Sequence, residues 1–314
     1  MKKLLFCALT AILLTSCSTD YISPLKNLAI NELIFETGDN YTTIKLGDED
    51  MSKFNAISTE TWCSVTIKEK SININLTPND TYYERYASVI ITDMIDGTEA
   101  VIKVRQLVNK VSVNFSFDDG YSQDSDIKTV FDEFNVKCGF AIINANQRYI
   151  DYANEGFEIL AHNSEPLDNA NEDQIRKSMI DGKKVVESLG LVCHGWVTPS
   201  SSLPEIHQHI VKDYFEYGYT VYKGNQATGQ TETNDLQSYQ LWRVHMNVLK
   251  DNYKRIFADM IQEKGMVSVY AHGVELNNPD NWTLNDLRTI LQYCKSNDID
   301  VLTPYDSCRR LFSE

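Results

Sequence analysis

Phe115-Ser116-Phe117-Asp118-Asp119-Gly120-Tyr121 ends an apolar run on two adjacent carboxylates and a glycine. Two negative groups side by side are costly unless something positive compensates them. A metal ion that takes one carboxylate as ligand and leaves the other as base is a sensible use of such a pair. Two histidines stand in the same kind of place. His162 ends Gly156-Phe157-Glu158-Ile159-Leu160-Ala161, and His272 ends Val267-Ser268-Val269-Tyr270-Ala271 and is followed by Gly273. Taken singly, Asp-Asp-Gly is an ordinary turn and an isolated histidine is usually structural. Together, at the ends of apolar runs, the three point to one site, provided that the runs are strands of one sheet. The other histidines read blandly. His207 and His209 have the wrong spacing to share a helix face, His194 is internal to an apolar run, and His245 could face the same mouth; none is assigned as a ligand.

The elements needed to bring these residues together are present in the pattern. From Val111 onward, short apolar runs alternate with longer segments of helical period. Strands are predicted at Val111–Phe117, Cys138–Ile143, Phe157–Ala161, Leu191–Val197, Tyr219–Tyr222, Leu241–Met246, Met266–Ala271 and Asp300–Leu302. Helices are predicted at Asp126–Phe134, Glu172–Leu189, Pro204–Tyr217, Tyr253–Lys264 and Thr283–Asn297. Strand and helix in alternation indicate a parallel β/α barrel over residues 110–314, in which chemistry sits at the C-terminal ends of strands. Residues 27–108 read differently. Their apolar residues alternate with period two in Glu32–Glu36, Thr42–Leu46, Trp62–Ile67, Ser71–Leu76, Ala87–Thr92 and Glu99–Gln106, with turns at Gly38-Asp39-Asn40, Thr77-Pro78-Asn79-Asp80 and Asp96-Gly97. No helical run interrupts them, which predicts an all-β sandwich.

The barrel segment resembles the polysaccharide deacetylases of carbohydrate esterase family four, an irregular (β/α)7 barrel. The resemblance rests on Phe117-Asp118-Asp119-Gly120, His162, Trp196-Val197-Thr198-Pro199 and Ala271-His272, and covers about residues 110 to 310. It implies removal of acetyl groups from an N- or O-acetylated polysaccharide by metal-activated water. By the resemblance Asp118 is the general base, Asp119 and His162 are metal ligands and His272 is the general acid. Tyr121, Trp196 and Pro199 would meet the substrate, with the backbone N–H near Tyr121 stabilising the oxyanion. Two departures stand out. The family repeats its histidine four residues after the first, where this chain has Pro166. An arginine that orients the base is replaced by Val197 or Thr198; Arg243 could supply that charge from another strand, or be a rim residue that meets substrate or an acid. A divalent metal, zinc or similar, would then be held by two certain ligands, weakly or not at all, unless Glu165 or Asp168 reaches in. The competing expectation is a catalytically impaired glycan-binding protein that retains the barrel.

The β-rich segment resembles the BACON-like domains that precede catalytic domains in carbohydrate-active lipoproteins, on Thr61-Trp62-Cys63-Ser64-Val65, Arg85-Tyr86-Ala87-Ser88-Val89-Ile90-Ile91 and Ile102-Lys103-Val104-Arg105-Gln106. Carbohydrate binding is the role that the resemblance implies; a spacer is the plainer reading, since no aromatic cluster stands out as a sugar platform. Lys2, Lys3 and the apolar stretch Leu4–Leu14, closing on Leu14-Thr15-Ser16-Cys17, read as a lipoprotein signal peptide over 1–17 followed by a linker over 18–26. The expectation is a bacterial envelope protein held to a membrane only through a lipid on Cys17. A formal net charge of −15 argues against a nucleic-acid partner, whose phosphates need a positive face. The cysteines beyond Cys17 (Cys63, Cys138, Cys193, Cys294 and Cys308) are odd in number and lack metal-site spacing, so no disulfide framework is read from them.

Overall fold

The computed structural model describes residues 21–38, 40–79, 81, 83–199, 203–222 and 241–312. The expected signal peptide and Cys17 lie outside the described residues. The chain divides into two compact units. One runs to Pro78 and includes Tyr86–Arg105; the other takes Asn79–Arg85 and continues from Gln106. The segment Asn79–Arg85, expected inside the first domain, therefore groups with the second.

The first unit contains strands β1 (Glu32–Phe35), β2 (Asn40–Ile44), β3 (Phe54–Ser58), β4 (Cys63–Lys68), β5 (Ser71–Leu76), β6 (Arg85–Asp93) and β7 (Glu99–Gln106). They form two sheets, ordered β1-β7-β6-β3 and β2-β5-β4. Period-two patterning builds both. In β5, Ile72, Ile74 and Leu76 are buried and the residues between them are not. Ile44, Ile72 and Ile74 of one sheet share a single apolar core with Phe54, Val89, Ile91 and Ile102 of the other. Strand β3 escaped the sequence reading because Phe54 is its only buried residue. Trp62, expected to open a strand, lies just before β4, and Tyr41 and Tyr86, the most exposed aromatic residues among those described in this unit, are on different sheets.

The second unit runs β8 (Ser112–Asp119), α1 (Asp124–Glu133), β9 (Gly139–Ile142), α2 (Arg148–Asn154), β10 (Glu158–Ala161), α3 (Glu172–Glu187), β11 (Gly195–Val197), β12 (Tyr217–Tyr222), β13 (Leu241–His245), α4 (Met246–Glu263), β14 (Met266–His272), α5 (Leu284–Ser296), β15 (Asp300–Leu302) and α6 (Pro304–Leu311). Strands β8 to β14 pair in parallel in chain order, and β14 returns to β8, closing a seven-stranded barrel. The closure is irregular. On the side of β8 away from β14, residues Ser112–Asn114 pair with β15 and residues Ser116–Asp119 pair with β9.

Each barrel strand has both faces covered, and β8 shows how its two parities are used. Val113, Phe115 and Phe117 pack outward among the helices, with Phe131 of α1 edge-on to both phenylalanine rings. Ser112, Asn114, Ser116 and Asp118 alternate with them and are also buried, so they need internal partners. Asn114 Nδ2 donates to Ser268 Oγ at 3.0 Å, and Tyr219 Oη donates to Asn114 Oδ1 at 2.9 Å. The barrel interior is thus a hydrogen-bonded filling. Burying each outward Phe or Val is worth about 1.5–3 kcal/mol, which makes the helix-facing layer the main source of stability.

Several expectations are corrected. Leu191–Val197 contributes only Gly195–Val197 as strand, and His194 lies before it, stacked on Tyr305 at 3.9 Å and paired with Glu216. The segment expected as a helix at Pro204–Tyr217 is a run of 3-10 turns over Glu205–Asp213. Helix α4 begins at Met246, because the His245 side chain accepts the Asn247 N–H and caps it. Helices α2 and α6 were not foreseen. Among the described residues, no helix is long and apolar enough to cross a membrane.

Candidate active site

Parity places most of the site. Asp118, His162, Arg243, His245 and His272 share the alternation whose other members, such as Leu160, Leu241 and Met266, fill the barrel interior. Register does the rest: His272 pairs with Asp118 across β14 and β8, and Asp119 pairs with Ile142 of β9. Asp119 belongs to the opposite parity, but its φ of 76°, followed by 76° at Gly120, swings the chain over the rim. Glycine is required at the second position, since a Cβ there would meet Tyr149 Oη at 2.8 Å.

A cleft of about 330 Å³ opens at this end of the barrel, lined by Asp119, Tyr121, Ile143, His162, Asn163, Ser164, Pro199 and His272. Tyr121 and Pro199 therefore line the cleft. Trp196 does not: it is fully buried in the helix-facing layer, one position out of parity with the mouth. Arg243 is not a rim residue either. It is buried, and its guanidinium grips Asp118 bidentately, Nη1 to Oδ1 at 2.8 Å and Nη2 to Oδ2 at 2.9 Å. It also donates to Ser116 Oγ at 2.9 Å and lies 4.5 Å from the Tyr270 ring centroid. Such a fork fixes the carboxylate plane as a lysine would not.

His162 carries a constraint of its own. Its Nδ1 is 3.0 Å from the Val197 carbonyl, which only accepts, so Nδ1 bears the hydrogen. Nε2 then faces Asp119 Oδ1 at 3.3 Å. A lone pair aimed at a carboxylate is repulsive, so this geometry calls for a cation between them, either a proton on Nε2 or a metal ion. The His162 hydrogen bond, against a smaller opposing effect of burial, holds the Asp119 carboxyl below the ordinary range. The pair fits a metal ion in charge and tautomer, with the carbonyl bond orienting the imidazole as outer partners of metal ligands do. It supplies two ligands. Glu165 and Asp168 are exposed and do not join it. Pro166 is exposed as well.

Among the described residues, one trio of metal-capable groups lies within 4.8 Å of one another: His245, His272 and Glu275. Its hydrogen bonding marks a relay. The Asn247 N–H donates to His245 Nδ1 at 3.1 Å, so neutral His245 carries its hydrogen on Nε2, where it meets Glu275 Oε1 at 2.8 Å. That nitrogen has no lone pair left for a metal. His272 Nδ1 lies 3.2 Å from the same oxygen, and Trp282 Nε1 donates to Glu275 Oε2 at 2.7 Å. Burial pushes Glu275 upward, but these hydrogen bonds outweigh it and hold the carboxyl well below its usual range. Burial alone would lower His272; the Glu275 bond and the nearby Asp118 and Asp119 carboxylates raise it instead. His272 Nε2 is thereby left toward the cleft, 3.9 Å from Asp119 Oδ2. Glu275 went unnoticed in the sequence, although it stands three residues after His272, and its Oε2 accepts the His272 backbone N–H at 3.4 Å.

No protein-family model matches the chain, and no characterised protein matches it in sequence. Among solved structures, it is similar to the Xyl-CE4 domain of a multidomain xylanase from the hindgut metagenome of Trinervitermes trinervoides, with 16% identity over 63% of this chain and 90% of that one, at a TM-score of 0.44. The Bc1960 peptidoglycan N-acetylglucosamine deacetylase is 17% identical over 63% of this chain and 87% of its own, with a TM-score of 0.43. A family 4 carbohydrate esterase from Streptomyces lividans is 10% identical over 61% of this chain and 91% of its own, with a TM-score of 0.42. The structural neighbours of this chain thus include family 4 carbohydrate esterases and a peptidoglycan deacetylase.

Proposed function

We propose that this chain hydrolyses acetyl groups from an N- or O-acetylated polysaccharide at the cleft above β8, β10 and β14. The observation that carries the reading is the convergence of Asp119, His162 and His272 on one cleft, with Asp118 in register beside His272. In this reading Asp118 takes the proton of the attacking water. Arg243 fixes both of its oxygens and leaves each a second lone pair for that proton. His272, held through Nδ1 by Glu275, donates from Nε2 to the departing amine or alkoxide. Tyr121 and Pro199 border the sugar. Asp119 and His162 would hold a divalent cation, zinc or similar, which when bound lowers the pKa of its water and polarises the acetyl carbonyl. Catalytic zinc sites generally keep three protein ligands, so binding through two is expected to be weak.

Pro166 favours a second reading, a glycan-binding protein that keeps the barrel and cleft without turnover. Acetate release from acetylated glycans, with calorimetric titration of zinc, cobalt and nickel, separates the two. Wild type is expected to bind metal weakly, Pro166→His more tightly and Asp119→Ala not at all. Asp118→Asn is expected to keep metal binding and lose acetate release. No binding at millimolar metal together with no acetate release would leave the glycan-binding reading in place. On either reading the protein is tethered in the bacterial envelope through Cys17, with a BACON-like N-terminal unit as spacer.

A further inference from the structure

One end of the β-sandwich unit carries large apolar side chains that its own fold does not require. The connection from β6 to β7, Met94-Ile95-Asp96-Gly97, closes with the Asp93 N–H on the Thr98 carbonyl at 2.8 Å and the Gly97 N–H on the Asp93 carbonyl at 2.9 Å. Asp93 Oδ1 accepts the Ile95 N–H at 2.9 Å, Asp96 Oδ1 accepts the Thr98 N–H at 2.8 Å, and Gly97 takes the positive φ of 74°. Aspartate and glycine thus set the turn, as they commonly do. The Met94 and Ile95 side chains have no part in that, yet they stand 66% and 54% exposed. The entry of the chain lies against the same turn. Tyr21 Oη donates to Asp93 Oδ2 at 2.5 Å, and Ile22 beside it is 67% exposed. Asp93 is fully buried and accepts from both segments, so it fixes Tyr21-Ile22 and Met94-Ile95 as one end of the unit.

Large apolar residues grouped at one end of a domain mark a contact. The place of that end in the chain names the contact. Cys17, which carries the lipid in the reading above, stands four residues before Tyr21. Four residues reach at most about 14 Å in any conformation. The nine residues of β6 extend roughly 30 Å, from Arg85 to the Asp93 end. A lipid on Cys17 therefore keeps the Tyr21 end beside the bilayer and leaves the Arg85 end free to stand clear of it. We propose that Ile22, Met94 and Ile95 enter the boundary between headgroups and acyl chains, with Tyr21 at headgroup level, so that this end of the unit docks on the membrane that holds the lipid. The proposal rests on the Cys17 anchor. Tyrosine suits the boundary because its ring is apolar and its hydroxyl is wet. The lysines nearby are already paired, Lys26 with Asp96 at 4.0 Å and Lys53 with Glu49 at 3.7 Å, so the contact is apolar rather than electrostatic. Four partly exposed side chains bury less than one acyl chain does, and one acyl chain by itself binds only marginally. The lipid thus supplies residence on the membrane, and the apolar end supplies orientation.

The test uses the lipidated chain in vesicles of phosphatidylethanolamine and phosphatidylglycerol. Cys63, Cys138, Cys193, Cys294 and Cys308 are all buried, so a nitrobenzoxadiazole maleimide reports on an exposed cysteine introduced by Ile95→Cys or, at the other end of β6, by Tyr86→Cys. Both positions are exposed, and neither substitution removes a core side chain. Vesicle lipids that carry a doxyl quencher near the top of the acyl chain probe the depth of about 5–10 Å at which such side chains settle. Dye at position 95 is expected to shift to the blue and to be quenched at least about threefold more strongly than dye at position 86. Met94→Asp in the chain labelled at 95 is expected to reduce that quenching severalfold, with the protein still bound to the vesicles. Equal quenching at the two positions, or none at 95, overturns the docked end. The mass of the intact protein separates this failure from that of the anchor. A lipid on Cys17 with unquenched dye at 95 leaves the anchor standing and removes the docking. Absence of the lipid removes both.

Discussion

Glu158 opens β10 at the end of the barrel opposite the cleft, and both of its oxygens face donors. Tyr217 Oη donates to Oε1 at 2.5 Å and the Tyr305 N–H donates to Oε2 at 2.7 Å. The side chain is 9% exposed and has no cationic partner among these contacts. Burial pushes its carboxyl up to about 8, the two hydrogen bonds opposing without prevailing. The sign follows directly. Between the ordinary glutamate value of 4.5 and about 8, the unfolded chain has lost this proton and the folded chain keeps it. The folded state binds more protons across that window, so its stability falls as pH rises and the full loss is reached above 8. The difference corresponds to roughly 5 kcal/mol. For a domain of this size that is on the order of 10 °C in Tm. Glu158→Gln imitates the protonated side chain: its carbonyl accepts from Tyr305, and its amide donates to Tyr217, whose hydroxyl reverses. Urea unfolding from pH 5 to 8.5, followed through the fluorescence of the fully buried Trp196 and Trp282, measures the effect in the barrel. Wild type is expected to lose stability steadily across the range. Glu158→Gln is expected to match it near pH 5 and to exceed it by several kcal/mol above pH 8. A flat wild-type profile, or a variant with the same slope, would refute the argument.

Three further outcomes follow from the same geometry. Arg243→Met should destabilise the barrel by about 3–5 kcal/mol in urea unfolding, because it leaves Asp118 buried without its partner, and Asp118→Asn in that background should recover much of the loss. Glu275→Gln should lower acetate release from N-acetylated glycans by about 10- to 100-fold while sparing 4-nitrophenyl acetate, whose leaving group needs no protonation; equal losses on both would remove His272 from the acid role. Cys17→Ala should move the protein from the membrane fraction to the soluble fraction, and continued sedimentation would count against the lipid anchor.

Much of the barrel site is legible from residue order alone, and the reason is parity. Asp118, His162 and His272 each close an apolar run, and a run buried on both faces has only its mouth for a charged end. The same rule misled at Trp196. Both parities of Gly195-Trp196-Val197 are apolar, so nothing in the sequence says that Val197 faces the interior and Trp196 the helices. Arg243 was recognisable as a cation for Asp118, but its burial follows from β13 standing beside β14, a fact of closure. Glu275 was missed although it stands only three residues after His272, because its other partner, His245, lies on the neighbouring strand β13.

Barrel closure also sets an order in time. Strand β8 is made first and is flanked at its start by β14 and β15, which are made last; the contact between Ser112 and Ser307 spans 195 positions. At common rates of synthesis, roughly ten to thirty seconds separate the emergence of these partners from the ribosome. Throughout that interval the Ser112–Asp118 edge that β14 will cover has no partner strand, and Asn114 and Asp118 wait for Ser268 and Arg243. Contacts so distant in sequence also make for slow folding. The cleft accordingly exists only once the ring is closed, since Asp118 and His272 become neighbours in the same event.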